Sequence, residues 1–126
     1  MQVPAKRESD FDRMVHLCRE AKLPDVTIGT TFEAPALRAR DKSFASLKAE
    51  NCMVLNCGHE QKAFLLELAP ETYWVTEHFK SWPGLMVRLD MISDHELKGR
   101  LIEAWKQRMT KKQIAAYEAS RPAPSP

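Results

Sequence analysis

The chain has 126 residues, about the size of one domain, and its 44% hydrophobic and 29% charged residues are typical of globular proteins. The longest uncharged stretches are far too short to span a bilayer, and the opening residues MQVPAKRESD lack the apolar segment of a secretory signal. We therefore expect one cytosolic domain with a net charge of only +2, and the odd number of cysteines, three, predicts free thiols.

The first half of the chain begins with a helix pattern and then changes to strand patterns. Ser9 is a favoured N-cap residue, acidic residues follow it, and apolar residues then recur at helical spacing until Pro24. From Val26 to Cys57, short alternating runs are separated by turn-type residues. This texture predicts three or four antiparallel strands.

The middle of the chain predicts a short helix followed by a hairpin. Gly58 introduces HEQKAFLLELAP, in which apolar residues form a helical stripe that ends at Pro70. Two strand-like runs, TYWVTEHF and LMVRLDM, then flank Pro83-Gly84, a typical turn pair. Their pairing predicts two sets of side chains, a core set of Tyr73, Val75 and Phe79 and an outward set of Trp74, Thr76, His78 and Arg88.

Two capping boxes indicate helices near the C-terminus. Ser93 with Glu96 precedes apolar residues at every fourth position, and Thr110 with Gln113 is expected to begin a further short helix. Residues 120–126, SRPAPSP, predict a disordered tail, so that the domain is expected to cover residues 9–119 after an N-terminal extension of residues 1–8. The cations of this region are interpreted as solvated helix surface: Lys98, Arg100, Lys106, Arg108, Lys111 and Lys112.

Three segments carry a resemblance to a known family. They are residues 35–47 (PALRARDKSFASL), 78–90 (HFKSWPGLMVRLD) and 103–105 (EAW). Over about residues 10–118 the chain resembles the MmcQ/YjbR family. The resemblance implies a two-layer α+β fold, similar to secretion-chaperone-like folds and to a double-wing DNA-binding module. Members are often labelled DNA-binding, but fold alone does not fix function.

The sequence pattern and the resemblance agree on the architecture. Both predict an antiparallel sheet of about five or six strands with helices on one face, in the order α-β-β-β-(β)-α-β-β-α-(α). The resemblance adds no established set of catalytic or base-reading residues. Any site must therefore be inferred from the side chains themselves.

Two groups of side chains are candidates for contacts with nucleic acid. The first comprises cations on two predicted strands and the turn between them, which could follow a phosphate backbone: Arg38, Arg40, Lys42 and Lys48. The second places an aromatic ring beside cations, where a base could stack: His78, Lys80, Trp82 and Arg88. The alternative for both groups is an ordinary solvated surface, with Trp82 covering one edge of the core.

Motifs for catalysis, metals and cofactors are not apparent in the sequence. There is no G-x-S-x-G, no H-E-x-x-H and no phosphate-binding glycine loop among the four glycines. Cys52 and Cys57 lie five residues apart on a predicted strand, which directs their thiols to opposite faces, so zinc is not expected even with His59 nearby. We predict no catalytic residues, no metal site and no cofactor.

The functional prediction is therefore a non-catalytic protein that binds DNA or another nucleic acid, mainly through phosphate contacts. The first alternative is a protein-interaction module in which the sheet or an edge strand pairs with a protein partner or in a homodimer. The second alternative is an enzyme that acts on a small molecule.

Overall fold

A computed structural model of the chain describes residues 6–120, and their side chains from Asp10 onward. The helices are α1 (Lys6–Glu20), α2 (His59–Leu68), α3 (Asp94–Lys106) and α4 (Lys111–Ser120). The strands are β1 (Val26–Thr31), β2 (Ala34–Ala39), β3 (Lys42–Ala49), β4 (Cys52–Asn56), β5 (Tyr73–Trp74) and β6 (Gly84–Arg88). Residues 1–5 and 121–126, which hold most of the expected extension and tail, lie outside the described residues.

The six strands form one antiparallel sheet in the order β1-β2-β3-β4-β6-β5. The mixed α+β fold, the antiparallel sheet and the predicted order of elements are confirmed. Ala45, Leu47, Met53 and Leu55 point from the central strands into a core that they share with α1 and α3. Side chains alternate along a strand, so Ser46 and its cross-strand partners Ala36 and Val54 point to the opposite side of the sheet. We call this side the open face.

Both predicted helix starts are capped, but only the second forms a complete capping box. Ser93 Oγ accepts a hydrogen bond from Glu96 N at 3.1 Å at the start of α3, while the Glu96 carboxylate accepts a hydrogen bond from the Tyr73 hydroxyl. Ahead of α4, Thr110 N donates to Gln113 Oε1 at 2.9 Å, and Gln113 N donates to Thr110 Oγ1 at 3.1 Å. Each cap satisfies backbone N–H groups that a helix start leaves without partners.

The first helix begins earlier than predicted. It starts at Lys6, three residues before the expected N-cap Ser9, so Asp10 lies inside the helix. Asp10 is buried, and its Oδ2 accepts a hydrogen bond from Asn51 N at 2.8 Å in the β3–β4 turn. The acidic residue that suggested a helix start therefore stabilises a tertiary contact.

The predicted hairpin around Pro83-Gly84 is shorter than expected. β5 holds only Tyr73 and Trp74, which pair with Val87 and Met86 of β6. The chain then leaves the sheet and forms a 3-10 turn at Glu77–Phe79. The expectation for Tyr73 and Trp74 was right, but Val75 and Phe79 do not lie on a strand and do not belong to the core.

Cys18 gives the folded state a measurable dependence on alkaline pH. It is 4% exposed, and burial raises the pKa of its thiol from 9.0 to about 12. Because the pKa of Cys18 is higher in the folded state than in the unfolded state, ionisation of the thiol favours unfolding. The stability that the protonated thiol contributes is fully present below pH 9 and is lost as the pH rises toward 12.

Cys18→Ala should therefore remove part of the alkaline loss of stability. Between pH 8 and pH 10 the wild type is expected to lose about 1.4 kcal/mol more free energy of unfolding than Cys18→Ala. Urea unfolding at several pH values measures the difference. Parallel pH profiles for the two proteins would contradict the prediction.

Within residues 6–120, no helix combines the length and apolar character needed to cross a membrane.

Candidate functional site

The open face of the sheet carries a groove with a volume of about 810 Å³. Its floor comes from β3 and β4, one wall is the β1–β2 turn, and the other wall is the segment that follows β5. The lining residues are Thr31, Phe32, Glu33, Ala34, Ser43, Phe44, Ser46, Lys48, Val54, Asn56, His78, Phe79, Trp82 and Arg108. We call this feature the open-face groove.

Three rings form the wall after β5, which we call the aromatic wall: His78, Phe79 and Trp82. The centroids of His78 and Phe79 are 5.0 Å apart in an edge-to-face arrangement, and those of Phe79 and Trp82 are 5.4 Å apart. The backbone turns tightly here, because Phe79 N donates to Thr76 O and Trp82 N donates to Phe79 O. The turn thus brings residues from one short segment into mutual contact.

The aromatic wall is held from behind by Lys62 of α2. Its Nζ donates to the carbonyl oxygens of Phe79, Lys80 and Trp82 at 2.8, 2.9 and 2.5 Å. Lys62 is only 6% exposed, and desolvation lowers the pKa of its ammonium group. We call this arrangement the Lys62 clamp.

Gly84 allows the Trp82 ring to lie against the sheet. A Cβ atom at Gly84 would be 2.0 Å from Trp82 Cζ3 and 2.6 Å from Leu55 O. Both distances are too short for any side chain, so the indole packs directly on the glycine backbone. The Pro-Gly pair therefore serves the close approach of a ring as well as a change of direction.

Lys48 is the exposed cation of the groove. Its Nζ lies 4.9 Å from the centroid of the Phe79 ring, within the range of a cation–π contact. Among the described residues, no carboxylate lies within 4.0 Å of Lys48 Nζ, and Glu33 is the one acidic residue of the lining. The ammonium group is therefore available to an anion that enters the groove.

Arg108 reaches the groove from the end of α3. Its Nε and one terminal nitrogen donate to Ser43 O at 3.1 and 2.8 Å, and desolvation lowers the pKa of its guanidinium group. We had interpreted Arg108 as solvated helix surface, because the helix pattern does not show that the chain turns toward β3 after Lys106. Arg108 and Lys48 together make the lining cationic on balance.

The structure brings three of the eight sequence candidates into the groove. Lys48 of the strand-cation group and His78 and Trp82 of the ring-beside-cations group line it. Lys42 and Lys80 are exposed but do not line the groove, and Lys80 Nζ lies 3.8 Å from a carboxylate oxygen of Glu77.

The three candidate arginines contact backbone carbonyls outside the groove. Arg38 donates to Thr30 O and Asp41 O, and Arg40 donates to Arg108 O. Arg88 donates to Pro70 O and Glu71 O, and its guanidinium carbon lies 5.2 Å from the centroid of the Trp74 ring. Arg38 and Arg88 lie on strands, whereas Arg40 lies in the β2–β3 turn with φ of 51°, so the expected strand alternation does not apply to it. Each of the three has at least one guanidinium nitrogen that donates to a carbonyl oxygen.

Four groove-forming residues were missed from the sequence: Phe32, Lys62, Phe79 and Arg108. Phe79 was assigned to the core because a strand was expected at this point. Phe32 stands at the end of the predicted strand TIGTTF, and the connection was expected to begin one residue later, at Glu33. In the structure β1 ends at Thr31, so Phe32 lies in the turn.

The cysteines do not form part of the groove lining. All three are free thiols, and Cys57 is buried in the core whereas Cys52 is half-buried at the start of β4. Burial raises the pKa of Cys57 to about 11, although Lys62 and Arg100 act in the opposite direction. Such a thiol stays protonated and is a weak nucleophile near neutral pH.

The groove thus offers flat aromatic surfaces beside a free ammonium group. Aromatic faces bind planar rings, and an ammonium group binds a phosphate or carboxylate as a point charge. The family model for YjbR matches residues 21–107, more than half of the chain and all six strands. No curated protein sequence is significantly similar to it. The sheet, the groove floor and the aromatic wall all fall within the matched residues, and the chain belongs to the YjbR family.

Proposed function

We propose that this protein is a non-catalytic nucleic-acid-binding protein whose open-face groove receives the phosphate backbone. The observation that carries the proposal is Lys48, an exposed ammonium group that contacts an aromatic ring and has no carboxylate partner among the described residues. An exposed cation adds little to the stability of the fold. When it binds a phosphate of a polyanion, however, a counterion is released and the affinity increases.

The charge of the groove supports a polyanion as its ligand. Lys48 and Arg108 face a single carboxylate, Glu33, in the lining. The net charge of the whole chain is only +2, so attraction depends on this local surface and not on the overall charge. We also propose a cytosolic location, since three unpaired cysteines suit a reducing compartment.

Lys48→Ala should reduce the salt dependence of binding. Fluorescence anisotropy of a labelled oligonucleotide, titrated at several salt concentrations, gives the slope of log affinity against log salt. Loss of one phosphate contact should reduce that slope by about 0.7 to 0.9. Lys112→Ala on α4 removes the same charge from an exposed residue that does not line the groove, and it should leave the slope nearly unchanged. Wild-type binding that does not respond to salt would contradict the proposal.

The alternative role as a protein-interaction module is favoured by the edge strand β1. This strand pairs with β2 on one side and lies at the end of the sheet, and Ile28 on it is 56% exposed. An open edge can accept another strand from a partner or from a second copy. Light scattering over a range of protein concentrations tests the second copy, and a strict monomer counts against it.

A further inference from the structure

Aromatic rings line both walls of the open-face groove, and one of them gives up the stabilisation that burial would provide. Phe32 is fully exposed, with a relative exposure of 101%. Phe79 and Trp82 are half-buried on the opposite wall. The groove therefore has accessible ring surface on both sides.

The conformation of the β1–β2 turn presents Phe32 outward. Phe32 and Glu33 have φ of 46° and 67°, between the paired residues Thr31 and Ala34. Two-residue turns of this kind favour Asn-Gly, because side chains are disfavoured at positive φ. No described contact within the fold compensates for placing a phenyl ring here, so a role in ligand contact explains it better.

The shape of the groove selects among nucleic acids. Its rings line a recess of about 810 Å³, which is within the size range of clefts that enclose a ligand. Proteins read a duplex by inserting a projecting helix or strand pair into its grooves, whereas unpaired bases can enter a recess and stack on side chains. The paired bases of a duplex stay stacked on one another and cannot reach the half-buried ring of Trp82 on the aromatic wall.

The cation of the groove is placed to accompany stacking. Lys48 Nζ lies over the Phe79 ring, and the centroid of Trp82 is 5.4 Å from that of Phe79, so a phosphate bound by Lys48 would sit close to a base stacked on Trp82. Alternation of stacking surfaces and cations is how sequence-tolerant binders hold single strands. The shape of the groove, the exposure of its rings and its charge therefore all favour a single-stranded ligand.

We propose that the open-face groove binds single-stranded nucleic acid, with unpaired bases stacking on Phe32 and Trp82 and a phosphate held by Lys48, whose ammonium group covers Phe79. This inference rests on the proposed function and specifies its ligand. The stacking is sequence-tolerant, because every base offers a flat face.

Three probes of the same length, about 16 nucleotides, separate stacking from phosphate attraction. They are a labelled single strand of mixed sequence, its duplex, and an abasic strand that keeps the sugar–phosphate backbone without bases. The single strand is expected to bind at least tenfold more tightly than the abasic strand. It is also expected to bind more tightly than the duplex at equal salt.

Phe32→Ala tests the exposed ring directly. Phe32 makes no buried contact, so the variant should fold normally, lose about fivefold or more in affinity for the single strand and keep its affinity for the abasic strand. Phe64→Ala is the matched control, because Phe64 is 57% exposed on α2 and does not line the open-face groove. Quenching of Trp82 fluorescence by the single strand, absent in Trp82→Phe, reports stacking on the opposite wall.

Each outcome bears on one of the two proposals. Equal affinity for the single strand and the abasic strand, or tighter binding of the duplex, would overturn the stacking inference and leave phosphate binding intact. An unchanged affinity of Phe32→Ala for the single strand would overturn the role of Phe32. Failure of all three probes to bind would overturn the proposed function itself.

Discussion

Replacing Lys62 by methionine is expected to lower the free energy of unfolding by about 3 kcal/mol. The Nζ atom donates to three carbonyl oxygens, of Phe79, Lys80 and Trp82, and the side chain is almost fully buried. Methionine keeps the length of the stem but offers no donor. The three carbonyls would then lose a charge-assisted hydrogen-bond donor. We expect this loss to exceed the free energy gained by no longer burying an ammonium group.

The Lys62→Met variant should also loosen the aromatic wall. Urea unfolding measures the loss of stability, and hydrogen exchange at the amides of Phe79 and Trp82 should become faster than in the wild type because their turn is no longer held. Lys112→Met, at an exposed helix residue, should change stability by less than about 0.5 kcal/mol. An unfolding midpoint equal to that of the wild type would show that the Lys62 clamp does not stabilise the segment.

The Lys62 clamp could not be predicted from the sequence. A lysine in a helical run is expected on the surface, and its exposure in most proteins supports that expectation. The partners of Lys62 are backbone carbonyls seventeen to twenty residues away. Every residue has a backbone carbonyl, so the amino-acid types do not show which carbonyls a lysine will contact. The same reason explains Arg38 and Arg88, whose outward direction was predicted but whose carbonyl partners were not.

Local patterns gave the fold reliably where the signal lies within a few residues. The helix caps at Ser93 and Thr110 each depend on a residue three positions away. The predicted alternation of β2 and β3 is less regular, since Phe44, Ala45, Ser46 and Leu47 are all buried. The interpretation failed at Phe79, because an aromatic residue in a β-rich segment has the same pattern whether the chain continues as a strand or turns. The difference there is decided by contacts with α2, which are distant in the sequence.

The sequence indicated two of the rings that line the groove, but not which other residues surround them. Rings beside cations in residues 78–90 pointed to a stacking surface, and His78 and Trp82 do line the groove. The opposite wall comes from Phe32, and one end comes from Arg108 after α3. Only the folded sheet brings residues 32, 48, 82 and 108 around one recess, so no spacing rule along the chain could assemble them.

Replacing Trp105 by alanine is expected to cost about 4 kcal/mol of stability. Trp105 is 0% exposed and has the largest side chain among the fully buried residues described. Its Nε1 donates to Pro24 O at 2.9 Å, and its ring lies edge-on to Tyr117 with a centroid distance of 5.0 Å. Trp105 therefore joins α3 to the loop between α1 and β1 and to α4, and its removal leaves a cavity at their junction.

A second variant keeps the prediction testable if Trp105→Ala fails to fold. Trp105→Phe retains most of the apolar contact but loses the N–H donor, leaving Pro24 O without this partner, and should cost about 2 kcal/mol. Urea unfolding followed by far-UV circular dichroism compares both variants with Phe64→Ala, whose exposed ring should matter little. A loss below about 1 kcal/mol for Trp105→Ala would mean that α3 and α4 repack around the gap, and the EAW segment would then not be a structural anchor of this fold.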